Sequence, residues 1–261
     1  MSTQKIKNYF ISSKYKNKKV QYGFFSKNGG YSKNNYSSLN CSISSGDDIE
    51  IVKKNIEIAK KNLRLENKKI KFLKQTHSSN VELITKKNFN DILEADGSIT
   101  KETDIALAIM TADCAPIFIY DTNHSFICSL HSGWRGSLKN IIKNAIIKIT
   151  KLKVDNKNLI ALIGPCLGEK NFEVNLDIKN NFIKESSNYK KFFHISSNQS
   201  KYFFDMRGLL NYQLNSCGIN NISNVIFDTY QKKDTFFSHR YSSHNSTLPT
   251  GRMINLIGFA N

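Results

Sequence analysis

The chain has 261 residues, enough to bury a sizeable core, and its 39% apolar and 11% aromatic content excludes a disordered chain. No run of about eighteen apolar residues occurs, and "MSTQKIKNYF" lacks the apolar stretch and cleavage site of a secretory leader, so no membrane span and a cytoplasmic location are expected. The formal charge of +17 is almost all lysine, spread along the chain beside many Asn and Ile in the manner of an AT-rich coding bias; with no basic stripe or recognition motif, specific nucleic-acid binding is not expected.

In chain order, residues 1–19 read as a polar lead-in with one edge strand, and residues 20–261 as a single catalytic domain. "YGFFSKNGGYSKNNYSSLN" predicts a strand, a Gly-Gly turn and a polar loop. "GDDIEIVKKNIEIAKKNLRL" predicts a helix, capped by Asp47 and Glu50, with Ile49, Val52, Ile56, Ala59 and Leu63 on one face. "IKFLKQ" and "VELIT" read as strands around "THSSN". "IALAIM", "PIFIY" and "SFICSL" are nearly unbroken apolar runs, the pattern of strands buried on both faces. A helix is expected from about Ser137, striped by Leu138, Ile141, Ile142, Ala145, Ile149 and Leu152. "LIALIG" is a further buried strand. Helices near 176–185 and 206–216 follow, the second stopped by Gly218. "SNVIF" and "MINLIGF" are the last strands, and residues 185–202 read as a surface excursion. The irregular alternation predicts a mixed α/β (α+β) domain in several layers: mixed sheets flanked by helices, not a doubly wound sheet.

Cysteine is present as Cys41, Cys114, Cys128, Cys166 and Cys217, an odd number with no CxxC pair, so reduced thiols are expected. His77 in "KQTHSSNV", Cys114 in "TADCAP" and His131 in "LHSGWRG" each adjoin an apolar run, at the rim of a sheet. Two imidazoles and a thiolate make a catalytic zinc set with one position open. Taken singly, each is better read as a core cysteine or a histidine satisfied by one hydrogen bond. A Cys–His pair acting without metal is a second use of the same residues.

The segments "KQTHSSNV", "ADGSIT", "TADCAPIFIYD", "HSGWRG", "IGPCLGEKNFEV", "FFSHR" and "TGRMINLIGF" follow one another in this order. With "YGFFSKNGGYSKNNYSSLN…GDD", they resemble the YfiH-like purine nucleoside phosphorylases, a family once called the multicopper polyphenol oxidase or laccase domain. The resemblance spans about residues 20–259 and rests most on "TADC" and "HSGWRG". It implies a layered α/β domain and a zinc site of His77, Cys114 and His131, at which copper is an alternative occupant. It also implies cleavage of adenosine, inosine, guanosine and methylthioadenosine with phosphate, together with adenosine deamination. Some relatives are peptidoglycan editing factors, so an amide hydrolase at the same site is the alternative. The departures are Lys27 for a family Arg, Asp228-Thr229 for Cys-Thr, and one Arg in "FFSHRY" where many relatives have two.

Within this frame Cys114, His77 and Asp113 are the catalytic candidates. Asp113 is an acid/base, an acceptor behind a ligand histidine, or only a cap for backbone amides. Arg135, Arg240 and Lys27 are the candidates for phosphate. Trp134 is a stacking surface for the purine or a packing anchor. His239 is a possible proton donor or a satisfied surface histidine; Cys166 has a weaker claim, and Cys128 belongs to the core. Small-molecule nucleoside and phosphate are the expected partners, in a monomer or homodimer. A helix starting near Ser137 would add favourable potential for an anion.

Overall fold

The computed structural model describes residues 3–16, 18–196 and 200–260. Two six-stranded sheets stack face to face. The first runs in the order Thr3–Ile6, Tyr9–Ser12, Val20–Phe25, Met253–Phe259, Ile105–Thr111 and Lys69–Lys71. Its neighbours are antiparallel except the last pair. The second runs Asn221–Asn224, Leu159–Ile163, Ala115–Asp121, Ile127–Ser132, Gly97–Thr100 and Val81–Ile84. Its two outermost pairs are parallel and its centre antiparallel. The sheets are mixed, as the irregular strand and helix alternation predicts.

The unbroken apolar runs have a direct cause. Every residue of Ala115–Asp121 is buried. Side chains alternate across a strand, so Phe118 and Tyr120 face the first sheet while Ile117 and Ile119 face the helices behind. Phe118 stacks on Phe24 with centroids 4.8 Å apart, joining the two sheets. On the far side of the first sheet lies the helix Ile49–Asn62. A Cβ on Gly23 would meet Tyr9 at 2.8 Å and Leu63 at 3.1 Å, so the glycine lets that layer close down. Behind the second sheet pack the helices Ile141–Thr150 and Met206–Ser216. Among the described residues no helix is long and apolar enough to cross a membrane.

Several elements differ from expectation. The lead-in contributes two strands, not one: Thr3–Ile6 and Tyr9–Ser12 form a hairpin on Val20–Phe25, with Tyr9, Phe10 and Ile11 in the core. Residues 1, 2 and 17 of that lead-in lie outside the described residues. The first long helix is capped by Asp48, whose carboxylate accepts from Glu50 N and Ile51 N. Asp47 instead accepts from Ser32 Oγ and Asn40 Nδ2. Ile49 is exposed, and Asn55 takes a place on the buried face. The helix expected from Ser137 is two helices, Trp134–Leu138 and Ile141–Thr150. Asn140 breaks them apart with a left-handed backbone, φ 51°, and caps the second by accepting from Lys143 N. The helix that begins next to His131 is therefore the short Trp134–Leu138, and the long one begins only at Ile141. The strand expected at "SNVIF" ends at Asn224.

The 185–202 stretch is not a surface excursion. Phe193–Ile195 pairs with Lys201–Phe204, which pairs with Glu173–Asn175 in a third, three-stranded sheet. Tyr189, Phe192 and Phe193 are buried there, Phe193 stacking on Phe204 at 4.7 Å. Residues 197–199 of the stretch lie outside the described residues. A helix at His239–His244 was not anticipated from the sequence.

Candidate metal centre

The chain crosses between the two stacked sheets at "FLKQTHSSN" and again at "ADC". The first crossing carries His77 from Lys69–Lys71 to Val81–Ile84. The second carries Cys114 from Ile105–Thr111 to Ala115–Asp121. Both turns use left-handed backbone, φ 57° at His77 and 84° at Asp113, a conformation that costs a non-glycine residue free energy unless its surroundings hold it. His131 sits in the neighbouring strand, paired with Pro116. One donor atom from each of His77, Cys114 and His131 lies within 4.8 Å of the others. The spacing expected around a tetrahedral ion is about 3.5 Å, so a small contraction closes the set on one metal. Among the described residues this is the one His/Cys/Asp/Glu group with that property.

Asp96 organises the cluster. It is fully buried and accepts from Thr76 N at 3.2 Å, His77 N at 3.1 Å, Ser78 N at 2.6 Å and Ser78 Oγ at 2.7 Å. Its other role is to hold His131, whose Nδ1 lies 2.7 Å from Asp96 Oδ1. That leaves Nε2 of His131 to serve as the donor. Burial would push the Asp96 carboxyl up, but hydrogen bonds from His131 and Ser78 bring it down to about 2. Burial likewise opposes ionisation of Cys114, yet the His131 and His77 imidazoles bring its thiol down to about 6. Burial lowers His131, and the Cys114 thiolate and Asp96 outweigh it, raising the imidazole to about 9. The thiolate that a metal requires is thus already favoured.

Gly133 fits the same purpose. A Cβ there would stand 2.8 Å from Cys114 Sγ and 3.2 Å from His77 Cδ2. Gly133→Ala is therefore expected to displace the thiolate and weaken metal binding by about tenfold or more, a ligand-shell effect. A competition titration with a chromophoric chelator reads that change directly.

The remaining candidates divide. Asp113 adjoins Cys114, but its carboxylate accepts from Thr229 Oγ1 and Arg240 N, each at 2.6 Å. The carboxylate behind the histidine is Asp96, which the sequence reading did not single out. Its only signal was the turn "EADGS" before a buried strand. Arg135 is exposed and lies over the indole of its neighbour Trp134, 4.4 Å from the ring centroid. Trp134 itself packs partly buried on the helix-side core. Arg240 gives both Nη atoms to the Glu173 carbonyl, at 3.2 and 3.1 Å, beside the Phe172 ring. Lys27 lies 5.9 Å from the Phe237 centroid, and burial lowers its basicity. Asp228 builds a loop, accepting from Tyr230 N, Gln231 N and Asn171 Nδ2.

Cys166 is buried against Arg207, whose Nη2 lies 3.1 Å from its Sγ. Cys128 is in the core, and all five cysteines are free thiols. His239 reaches the surface, and partial desolvation of its ring lowers its basicity first, the Arg252 charge adding to that. Arg252 feels both Cys114 and Asp113; in the sequence it stands only as part of the segment "TGRMINLIGF".

Stacked mixed sheets, clad in helices and joined through a His–Cys–His group that could hold a metal, define a YfiH-type α/β protein. The Bacillus licheniformis protein YfiH superposes with a TM-score of 0.86 at 25% identity, over 98% of both chains. A Neisseria meningitidis protein of the DUF152 family does so with a TM-score of 0.83 at 28% identity, over 93% of this chain and 95% of its own. The chain belongs to the family described as multi-copper polyphenol oxidoreductase laccase, whose model matches residues 21–260. A purine nucleoside phosphorylase of Rickettsia conorii is 33% identical over 228 residues, covering 87% of this chain and 91% of the relative. Another, of Haemophilus influenzae, is 30% identical over 232 residues, covering 88% and 91%.

Proposed function

We propose that the protein is a zinc-dependent purine nucleoside phosphorylase, acting on adenosine, inosine, guanosine and methylthioadenosine, with adenosine deamination as a second activity of the same centre. The observation that carries the reading is the convergence of His77, Cys114 and His131 within 4.8 Å in a chain whose relatives bear that enzyme's name. Two imidazoles and a thiolate suit zinc. A divalent ion held there supplies Lewis acidity and a water of lowered pKa.

The chain's own residues supply the rest. Asp96 fixes the His131 ring and the His77 turn, so both imidazoles are preorganised. His131 is buried, Cys114 partly buried and His77 exposed, so the cluster is anchored in the fold and open to solvent on the His77 side. In phosphorolysis an oxygen of hydrogen phosphate bonds to C1′ while the C1′–N9 bond breaks. The proton of hydrogen phosphate ends on the departing purine, giving ribose 1-phosphate and free base. Deamination instead exchanges the adenine amine for the oxygen of water, releasing ammonia.

Copper oxidase chemistry fits this chain poorly. Its six histidines include no His-x-His pair, and the described residues hold one donor cluster, whereas multicopper oxidation needs a mononuclear and a trinuclear centre. The open coordination position is the specific feature that favours amide hydrolysis as the second reading. Incubating the protein with adenosine, with and without phosphate, separates these cases. Adenine and ribose 1-phosphate made only with phosphate support the phosphorylase, and inosine in either condition marks deamination. No turnover of any nucleoside points to the amide hydrolase. Activity untouched by a chelator points to metal-free Cys–His chemistry.

A further inference from the structure

We propose that Arg252 is the residue that binds the phosphate of this site, and that the polar loop of residues 30–47 exists to aim it. The inference rests on the phosphorylase reading and supplies the anion site which that reading needs.

The placement follows from strand register. Met253 pairs with Thr111 across the first sheet. Arg252, one residue earlier, therefore lies beside the crossing that carries Asp113 and Cys114. Its charge acts on both of those residues and on His239. Arg135, Arg240 and Lys27 are differently engaged: Arg135 lies exposed over Trp134, Arg240 donates to the Glu173 carbonyl, and Lys27 faces Phe237. The Asp113 carboxylate accepts from Thr229 Oγ1 and Arg240 N, and it acts on Arg252 through its charge and not as an ion-pair contact.

The guanidinium is half-anchored. Nη1 donates to the carbonyls of Thr250 at 2.7 Å and Gly251 at 3.0 Å. Among the described residues no partner is recorded for Nη2 or Nε, the edge suited to two oxygens of one phosphate. The backbone is clamped as well. Arg252 N donates to Asn40 Oδ1 at 3.0 Å, and Cys41 N donates to the Arg252 carbonyl at 3.2 Å. Gly251 lies against the face of Phe237, where a Cβ would stand 2.6 Å from the ring.

Asn40 is in turn held from three sides. Its Nδ2 donates to Ser45 Oγ and Asp47 Oδ2, and its carbonyl accepts from Asn55 Nδ2 at 2.8 Å. Asn55 is fully buried and also accepts from Tyr31 N and donates to Ser32 Oγ. A polar side chain on the buried face of a helix is costly unless satisfied. Here it ties the Gly-Gly turn and the "SSLN" segment to the arginine.

The test compares wild type with Arg252→Gln and Arg252→Lys. It measures the phosphate KM and nucleoside KM of metal-loaded protein. It also measures broadening of the phosphorus resonance of inorganic phosphate by metal-stripped protein. Loss of a charge-assisted fork is expected to raise the phosphate KM about 10- to 100-fold in the glutamine variant. The nucleoside KM and metal content should stay within about twofold, and the phosphate broadening should fall. Lysine keeps the charge without the fork, so an intermediate rise is expected there, and that variant carries the test if glutamine prevents folding.

Unchanged phosphate KM and unchanged broadening in the variants would overturn the inference. So would parallel losses of nucleoside affinity and metal, which mark a merely structural arginine. If wild type binds phosphate through Arg252 yet cleaves no nucleoside, the phosphorylase reading fails and the anion site stands. If the variants phosphorolyse nucleosides with wild-type phosphate KM, the reading stands and Arg252 is not its phosphate ligand.

Discussion

Cys114→Ala is expected to fold, to retain less than about a tenth of the wild-type metal content, and to cleave purine nucleosides about a thousandfold more slowly or worse. The reasoning starts with the donor set. Only the thiolate brings negative charge to the three ligands, and it is the softest of them. Its removal leaves two imidazoles, one of them committed through Nδ1 to Asp96. Folding should survive, because Cys114 is half-exposed at a turn and not part of either apolar core. Metal analysis by emission spectroscopy, a thermal melt and a nucleoside assay on one preparation make the check. Full activity with full metal content would remove Cys114 from the site. Full metal content with lost activity would recast it as a nucleophile.

Asp96→Asn is expected to weaken metal binding by about 10- to 100-fold and to lower stability by about 3 kcal/mol. Asp96 accepts from four groups of the His77 turn and also holds His131. An amide has one accepting oxygen, and its NH2 group would face the Ser78 or His77 amide, donor against donor. The cost therefore falls on the turn and the ligand together. Urea denaturation of metal-free protein isolates the structural part, and chelator competition reads the affinity. A loss of affinity with unchanged urea midpoint would mean that Asp96 orients His131 without building the turn.

Much of this site was legible because its donors fall beside unmistakable strands. His77, Cys114 and His131 each adjoin an apolar run, and their residue types name a metal chemistry. Their convergence was not derivable from spacing, since it depends on how two sheets stack. Asp96 escaped notice because its one local mark is the turn "EADGS"; the groups its carboxylate binds come from segments 18 to 35 residues away. Asp113 drew attention by adjacency to Cys114, but a left-handed turn at φ 84° directs it to Thr229 and Arg240. The small third sheet was hidden by polar residues that alternate with its aromatics, and the split at Asn140 by an otherwise continuous apolar stripe.

The stacked sheets are a frame, and His77 and Cys114 ride on two of the strips of chain that pass from one sheet to the other. Their separation is therefore a gauge of how the layers are seated. Any mutation that shifts the Phe24–Phe118 stack, however remote from solvent or substrate, should register first as altered ion affinity, before enzyme assays or melting curves detect it. Conversely, a captured ion acts as a rivet, adding resistance to shear between layers that otherwise share aromatic packing and the buried Ser12–Ser223 hydrogen bond.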